Sequence, residues 1–397
     1  MSKKYDVFVN PYNFIPLNAK GVERKTQDQL PKGLLTGHIS CRLIVKAPLA
    51  LPDHSTKQGQ KFDFYSIAGR YAIPGSELRG CIRSVFETVT NSCLSVLDEK
   101  EKVKFIEVPV YDLVRNINSE YSHIPCKREC CPACTLFGAF GKASKIRFSD
   151  AFSNNCVIDD NYRNMPEFSS PKFSTMCFYT KNTTAKYEKG IYNSWKYKDE
   201  NTQIRGRKFY FHSGNTPEVS KLGERQIAVK CAQKGDFDFK IYFEKITETE
   251  LKQLLWVLTL GENKENSMLM HKIGAGRPVG YGSVKIVVPD NGLFIREIKG
   301  DQYTTETKSY TDFEPHAEKI GLDIDAVNKL LKICNFNYLD GYKVSYPLAY
   351  KGDKLQPSFK WFNDNVVKEN EKKKIGYHQI LPEISDDETE KPVLKSY

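Results

Sequence analysis

The densest cluster of reactive side chains is the motif H-x2-C-x3-CC-x2-C, which places five potential metal ligands within twelve residues. These ligands are His123, Cys126, Cys130, Cys131 and Cys134. Zn²⁺ prefers four tetrahedral nitrogen or sulfur ligands, and a C-x2-C knuckle lets two thiolates hold one ion from a tight turn. The motif therefore predicts a structural zinc site. Cys131 and Cys134 are its firmest ligands and Cys126 is next, while the fourth is His123 or Cys130.

A redox pair is the competing interpretation of the same cysteines. Cys131-Pro-Ala-Cys134 is similar to the C-x-x-C pairs of disulfide oxidoreductases. Such a pair normally opens a helix after a strand, without further nitrogen or sulfur ligands just upstream. The extra ligands favour zinc.

A second motif, GAGRPVGYG at 274–282, concentrates four glycines in nine residues. A dinucleotide-binding turn would have to follow a strand and open a helix, whereas this motif contains Pro278 and precedes an apolar run. The pattern instead predicts a loop whose backbone N–H groups approach a phosphate chain, with charge from Lys272 and Arg277. The candidate contact glycines are Gly274, Gly276 and Gly280. An ordinary loop leading into a strand is the alternative.

The third motif, IPGSELRG, starts a helix near Ser76, which is a plausible N-cap. Arg79 and Arg83 fall four residues apart on one face of this helix. The positive end of a helix is a natural phosphate site, so Ser76 and the two arginines are candidate RNA contacts. The alternative is a solvated face on which Arg83 pairs with Glu87.

A basic aromatic segment covers residues 161–212, with ten Lys or Arg, four Asp or Glu and twelve aromatic residues. Its two densest runs are Lys196-Tyr197-Lys198 and 205–211. Cations bind phosphates while rings stack on splayed bases, which is the usual chemistry of single-stranded RNA recognition. Arg205, Arg207 and Lys208 are the candidate contacts, and an insertion that packs its own aromatic core is the alternative.

The composition fits a soluble globular protein that binds a polyanion. The 397 residues have 59 Lys or Arg against 49 Asp or Glu, a net charge of +10, and 40% are hydrophobic. A basic balance favours nucleic acid, although a merely basic protein gives the same number. We expect a cytoplasmic protein without disulfides or a membrane partner, because the eleven cysteines are odd in number and no apolar run is long enough for a membrane helix.

The elements that must position these motifs follow from hydrophobic periodicity. Strands are predicted at 37–47, at 145–150 and, as a hairpin, at 226–232 and 238–244. A capping box at Thr247 and Glu250 starts a second helix, and the run SVKIVV closes the pattern as a strand. The order is that of an α+β, ferredoxin-like (RRM-like) βαββαβ core.

Two insertions interrupt this core, and an extension follows it. Residues 98–144 form the predicted zinc-binding insertion, and 151–225 form the basic aromatic one. Residues 1–290 are assigned to the core domain and 291–397 to a C-terminal extension. The extension is predicted to contain a helix within 316–336 and to end in a polar, mobile tail at 381–397.

Three motifs in order carry a family resemblance: IPGSELRG, CPACTLFGAFG and GAGRPVGYGS. Together they resemble the RAMP superfamily of CRISPR-associated proteins, most closely the backbone-type subunits of type III effector complexes. The opening NPYNFIPLNAKG is similar to one type III-associated subfamily, and the resemblance covers about residues 10–290. It implies guide RNA, complementary target RNA and other effector subunits as partners, a zinc-binding insertion, and a thumb-like role for 151–225.

The resemblance also raises the question of catalysis. Some backbone subunits cut target RNA with a divalent metal, Mg²⁺ or Mn²⁺, held by an aspartate between the first strand and the IPGS helix. Asp63 and, less favourably placed, Asp53 are the candidates here, although the familiar context is not reproduced. A metal-independent endoribonuclease that processes precursor guide RNA is an alternative, with His38 and His54 as acid–base candidates. A non-catalytic capping or scaffold subunit is another.

Overall fold

The computed structural model describes residues 6–26, 33–94, 126, 129–139, 141–153, 155–168, 173–181, 187–188, 191–192, 203–214, 216, 222–299, 302–313, 315–370 and 373–397. Its α-helices are α1 (Gly75–Val89), α2 (Pro132–Phe137), α3 (Glu248–Thr259), α4 (Ile324–Cys334) and α5 (Lys360–Asp364). The first strands are β1 (Val7–Val9), β2 (Tyr12–Ile15), β3 (Leu35–Val45), β4 (Lys61–Phe62), β5 (Ser66–Ile67), β6 (Arg70–Ile73), β7 (Ile146–Phe148), β8 (Ala151–Phe152), β9 (Val157–Ile158), β10 (Arg163–Asn164), β11 (Thr180–Lys181), β12 (Tyr187–Glu188), β13 (Ile191–Tyr192), β14 (Gln203–Ile204) and β15 (Arg207–Tyr210). The remaining strands are β16 (Ala228–Val229), β17 (Ala232–Lys234), β18 (Asp236–Ile246), β19 (His271–Lys272), β20 (Ser283–Val287), β21 (Leu293–Lys299), β22 (Gln302–Lys308), β23 (Leu348–Lys351), β24 (Lys354–Pro357), β25 (Val366–Asn370), β26 (Lys373–Tyr377) and β27 (Val393–Lys395).

A mixed α+β architecture is built on one large antiparallel sheet, as the predicted fold class requires. Its main path runs β19-β20-β3-β18-β8-β6-β5. One edge of β3 pairs with β20 along its C-terminal half and with β21 along its N-terminal half. The far edge of β18 pairs with β7 and β8. The two longest strands, β3 and β18, therefore form the centre of the sheet.

Strict alternation explains why β3 and β18 pair over their whole length. Ile39, Cys41 and Leu43 are buried while the residues between them are more exposed, and β18 shows the same period of two. This leaves one apolar face, which packs with α1 and α3 in the principal core. The predicted hairpin of 226–232 with 238–244 was wrong, because β18 satisfies its backbone against β3, β7 and β8 instead.

Helix starts agree with the predictions to within one residue. The capping box at Thr247 is confirmed, with the Glu250 N–H donating to Thr247 Oγ1 at 3.1 Å and the Thr247 N–H donating to Glu250 Oε2 at 2.7 Å. The N-cap of α1 is Pro74 rather than Ser76, which lies inside the first turn. Ser76 was therefore wrong as a cap, because the Pro-Gly turn already sets the entry angle of the helix.

The C-terminal tail is not a mobile segment, so that prediction was also wrong. Leu381, Ile384 and Leu394 are buried, and β27 pairs antiparallel with β1 near the N-terminus. These three buried apolar side chains anchor the otherwise polar segment on the rest of the protein. No helix in the described part of the chain is long and apolar enough to cross a membrane.

Candidate metal centre and nucleic-acid interface

Four buried cysteines converge on one point: Cys93, Cys126, Cys131 and Cys134. Their sulfur atoms all lie within 4.8 Å of one another. The Cys93 sulfur is 3.5 Å from that of Cys134, 3.6 Å from that of Cys131 and 4.0 Å from that of Cys126. Tetrahedral zinc with Zn–S bonds of about 2.3 Å separates its sulfur ligands by about 3.8 Å. The spacing fits a metal such as zinc.

Two local structures hold these thiols in place. Cys131 is the N-cap of α2, and its sulfur accepts the Cys134 N–H at 3.5 Å. Cys93 follows the end of α1, where Ser92 Oγ accepts the Ala133 N–H at 3.0 Å. The site therefore joins the C-terminal end of α1 to the start of α2.

Four thiols this close cannot ionise independently. Hydrogen bonds from Cys131, then Cys134 and Cys93, lower the pKa of Cys126 below its usual range. Hydrogen bonds with Cys126, then Cys131 and Cys134, raise the pKa of Cys93. A bound cation would let all four become thiolates, and four protein ligands leave no open coordination position. The donor set therefore suits a structural ion.

The set of four differs in one member from the sequence prediction. Cys126, Cys131 and Cys134 are in the group, but Cys130 is not, because its thiol donates to the Cys126 carbonyl at 3.4 Å and faces Lys142 Nζ at 3.4 Å. His123 lies outside the described residues. Cys93 was missed because it is 33 residues away from the cluster, and only its position just after an amphipathic helix marks it.

The two arginines of α1 contact the C-terminal end of α2, the helix that contains Cys134. Arg79 donates to the carbonyl of Phe137 at 2.5 Å, and Arg83 donates to that of Gly138 at 3.4 Å. Arg83 also pairs with Glu87 at 2.8 Å, as the alternative interpretation expected. Both guanidiniums therefore hold the C-terminal end of α2, where a cation stabilises the helix dipole.

A cavity of about 250 Å³ brings together four of the other candidate RNA contacts. It lies between the first turns of α1, strand β15 and the glycine-rich loop. Its lining includes Ser76, Gly80, Lys208, Lys272 and Arg277. Residues about 200 positions apart in sequence thus line one concave surface, where three of them carry a cationic group and Glu77 adds a carboxylate.

Burial tunes the charge of the two lysines. It lowers the pKa of Lys272 to about 7, with a further contribution from Arg277. Burial and Arg277 also lower the pKa of Lys208 to about 8. Lys272 Nζ donates to the Tyr281 carbonyl at 2.8 Å, while Arg277 is exposed above the Tyr210 ring at 5.4 Å. An incoming anion would recharge Lys272 and meet the Arg277 guanidinium at the rim, whereas the Lys208 ammonium donates to the Tyr179 hydroxyl at 2.9 Å, outside the cavity lining.

The backbone conformation of the glycine-rich loop requires glycine at two positions. Gly276 and Gly280 have φ values of +74° and +92°, and a Cβ at Gly276 would lie 2.9 Å from the Tyr281 ring. The N–H of Gly274 donates to Glu77 Oε1 at 2.9 Å, which ties the loop to α1. This N–H serves the fold and is already satisfied.

Two of the three contacts predicted in the aromatic segment are buried. Arg207 pairs with Glu87 at 3.5 Å and donates to the Ser92 carbonyl. Arg205 is only 4% exposed. Arg207 is turned inward as the first residue of β15, and Arg205 is buried in the short connection between β14 and β15, so Lys208 alone of the three lines the cavity. Lys196-Tyr197-Lys198 lies outside the described residues.

The candidate catalytic aspartates have local partners. Asp53 accepts the Ser55 hydroxyl at 2.6 Å, and this hydrogen bond lowers the pKa of its carboxyl group. Asp63 accepts the Tyr162 hydroxyl at 2.9 Å and pairs with Lys230 at 3.3 Å. Among the described residues, the cysteine group is the only set of three or more such ligands close enough to share a metal.

The two candidate histidines are packed against rings. His38 stacks on Phe294 with ring centroids 4.4 Å apart, and His54 meets Phe62 edge-on at 5.3 Å. They lie on separate elements, β3 and a short 3-10 helix at His54–Thr56. Neither contact suggests an acid–base pair.

Comparison with known families gives one match. The model of the RAMP superfamily matches residues 54–285, more than half of the chain. This range contains α1, the cysteine group, β15 and the glycine-rich loop. No curated protein matches the chain.

Proposed function

The chain belongs to the RAMP superfamily, and we propose that it is a guide RNA-binding subunit of a type III CRISPR effector complex. In this role it holds the phosphate chain of the guide and presents its bases to a complementary target RNA. The proposal combines the family with the chemistry of one cavity and with the three motifs that resemble the type III backbone subunits.

The cavity lined by Ser76, Lys208, Lys272 and Arg277 carries the proposal. It combines the first turns of α1, the lysine Lys272, whose charge returns when an anion binds, and the exposed Arg277 guanidinium. Each is a feature of phosphate recognition, and none selects a base. A site of this kind fits a guide RNA whose sequence varies.

The strand order supports a ferredoxin-like core beneath this cavity. The strands β20, β3, β18 and β7 are neighbours in that order, and α1 and α3 follow β3 and β18 along the chain. This is the order expected when a βαββαβ unit folds into one antiparallel sheet.

We assign zinc to the four-cysteine group, with a structural role. The ion would fix α2 against α1, and α2 carries the carbonyls that engage Arg79 and Arg83. Zinc binding would thus stabilise the helix whose first turn lines the proposed RNA cavity.

Cleavage of target RNA at Asp63 remains a separate proposal that rests on the resemblance alone. The ion pair with Lys230 would have to open before Asp63 could hold Mg²⁺ or Mn²⁺. Asp63→Ala should then abolish Mg²⁺-dependent cleavage and leave RNA binding intact. Cleavage that persists in EDTA would favour the metal-independent endoribonuclease, and no cleavage at all would favour the scaffold.

The first experiment is to purify the protein from its host and to sequence the RNA that accompanies it. Uniform short RNAs with repeat-derived ends are expected. Heterogeneous RNA, or none, would contradict the guide-binding role.

The site is tested by Lys272→Ala/Arg277→Ala on one such RNA. Affinity should fall about tenfold or more, and the slope of log K against log salt should shrink by about 1.4, for two phosphate contacts at about 0.7 each. The matched control is Lys319→Ala/Lys354→Ala, which removes two exposed charges elsewhere. Equal effects of both double variants would show that the net charge of the protein, and not this cavity, determines RNA affinity.

A further inference from the structure

The face of the sheet opposite α1 carries a row of aromatic rings that the cavity does not use. Buried residues such as Ile39 and Ile241 point towards α1, so their neighbours His38 and Tyr242 point the other way. Tyr242 is 41% exposed. Tyr242 lies on β18, one of the two central strands, and an exposed aromatic ring in the middle of a sheet needs a physical explanation.

The rings are in register across three strands. Tyr242 is paired with His38, and His38 is paired in turn with Phe294 on β21. The ring centroids of His38 and Phe294 are 4.4 Å apart and those of His38 and Tyr242 are 5.8 Å apart. The backbone pairing therefore builds a continuous aromatic strip across the middle of the sheet.

Exposed cations surround this strip. Arg147 is paired with Tyr242 on the far side, Lys240 lies two residues before Tyr242, and Arg296 lies two residues after Phe294. None of the three has a carboxylate within 4.0 Å among the described residues. Lys240 and Arg296 act with burial to lower the pKa of His38, which shows that their charges reach the strip.

The acidic groups on the same face of β18 are Asp236, Asp238 and Glu244, which lie on either side of Lys240 and Tyr242. Asp238 pairs with Arg42 at 3.8 Å, and Glu244 lies beyond Tyr242 on β18. The centre of the face is thus aromatic and cationic together. Rings offer a stacking surface to any base, and cations at strand spacing meet the phosphates between bases.

We propose that this open face binds a single-stranded stretch of the guide RNA, with bases stacked on His38, Tyr242 and Phe294. Arg147, Lys240 and Arg296 contact its phosphates. The inference rests on the proposed function but uses a different surface, on the other side of the sheet from α1. The occupant is the guide before a target arrives, because its bases are then unpaired and free to stack, whereas a target enters the complex by pairing with the guide.

The test measures binding of a short fluorescent guide RNA to the full chain. Tyr242→Ala should weaken binding about tenfold, the range found when one stacking ring is removed. Tyr242→Phe keeps the ring and should retain wild-type affinity. The matched control is Tyr342→Ala, since Tyr342 has the same 41% exposure and lies in the C-terminal extension. Crosslinking with 4-thiouridine should label peptides that contain Tyr242 or His38.

The outcomes separate this inference from the proposed function. If Lys272→Ala/Arg277→Ala weakens binding but Tyr242→Ala does not, the sheet face is not an RNA surface and the cavity stands. If Tyr242→Ala leaves RNA binding intact and blocks assembly with other subunits, the face is a protein interface, which also overturns the inference. If the wild-type protein binds no RNA, both fail.

Discussion

At the residue scale, Cys93 decides how the metal site is built. Its sulfur lies 3.5 to 4.0 Å from those of the other three cysteines, and it is the member that follows the end of α1. A site made only from residues 123–134 would stabilise a local knuckle. Because Cys93 takes part, a bound metal would also stabilise the packing of that knuckle on the core.

Cys93→Ser should therefore remove the metal, whereas Cys130→Ser should keep it. We expect about one zinc per chain in the wild type and in Cys130→Ser, and almost none in Cys93→Ser, with a lower melting temperature. Metal content and thermal unfolding of the purified proteins measure both effects. Zinc loss in Cys130→Ser together with retention in Cys93→Ser would restore the ligand set predicted from the sequence.

Lys272 predicts a pH dependence of RNA binding. Its pKa is about 7 in the free protein, and a phosphate beside it favours the charged form and raises that pKa. Binding then takes up a proton above pH 7, so affinity should fall about tenfold from pH 6.5 to pH 8.5. Lys272→Arg, which stays charged, should flatten the profile except for the smaller part due to Lys208. An unchanged wild-type affinity over this range would remove Lys272 from the site.

At the scale of elements, α1 is the part that connects the cysteine group to the proposed RNA cavity. Its first turns line the cavity, and its last turn leads to Cys93. Between these ends, Glu87 binds both Arg83 and Arg207 in a nearly dry environment, where its side chain is 7% exposed. This carboxylate joins α1 to β15, the strand that places Lys208.

Removing the charge of Glu87 should be costly. Glu87→Gln leaves the buried Arg207 and the partly buried Arg83 without their anion, and breaking such a pair costs about 3 kcal/mol in the free energy of unfolding. The control Glu248→Gln removes an exposed i,i+4 pair with Lys252 and should cost about 0.5 kcal/mol or less. Chemical denaturation compares the two. Similar losses in both variants would show that the Glu87 network adds nothing beyond a surface pair.

The elements that the sequence predicted well are those coded by local rules. The alternation of β3, the capping box at Thr247 and the three-four spacing of α1 all depend on neighbours within a few residues. The hairpin failed because a Gly-Asp turn does not decide which strand β18 pairs with. That choice depends on the long-range match between two eleven-residue strands.

The same contrast between local patterns and long-range contacts applies to the candidate site. The short spacings identified Cys131, Cys134 and the glycine-rich loop, whereas Cys93 and the burial of Arg205 and Arg207 depend on tertiary contacts. A charged residue in an aromatic run appears exposed in sequence until the pairing of β15 with β2 turns alternate side chains inward. Periodicity gives the two faces of a strand but not which face is covered.

At the scale of the whole molecule, the boundary drawn at residue 290 does not divide the core. β21 hydrogen bonds to the central strand β3, and Ile320, Leu330 and Ile333 are buried in the same cluster as α1 and α3. The Gln253 side chain also donates to the Ile320 carbonyl at 2.8 Å. The extension completes the sheet edge and the helical layer that support the proposed RNA cavity.

A chain that ends at residue 290 should therefore fail to fold cooperatively. It would leave half of one edge of β3 unpaired and would expose the apolar surface that α4 covers, which favours aggregation. Circular dichroism, thermal unfolding and zinc content of the truncated and full-length proteins measure this directly. If the truncated chain melts as sharply as the full protein and keeps its metal, the extension is an independent domain. A broad or absent transition is expected instead, because the central strand and the helices around it depend on residues from both sides of the boundary.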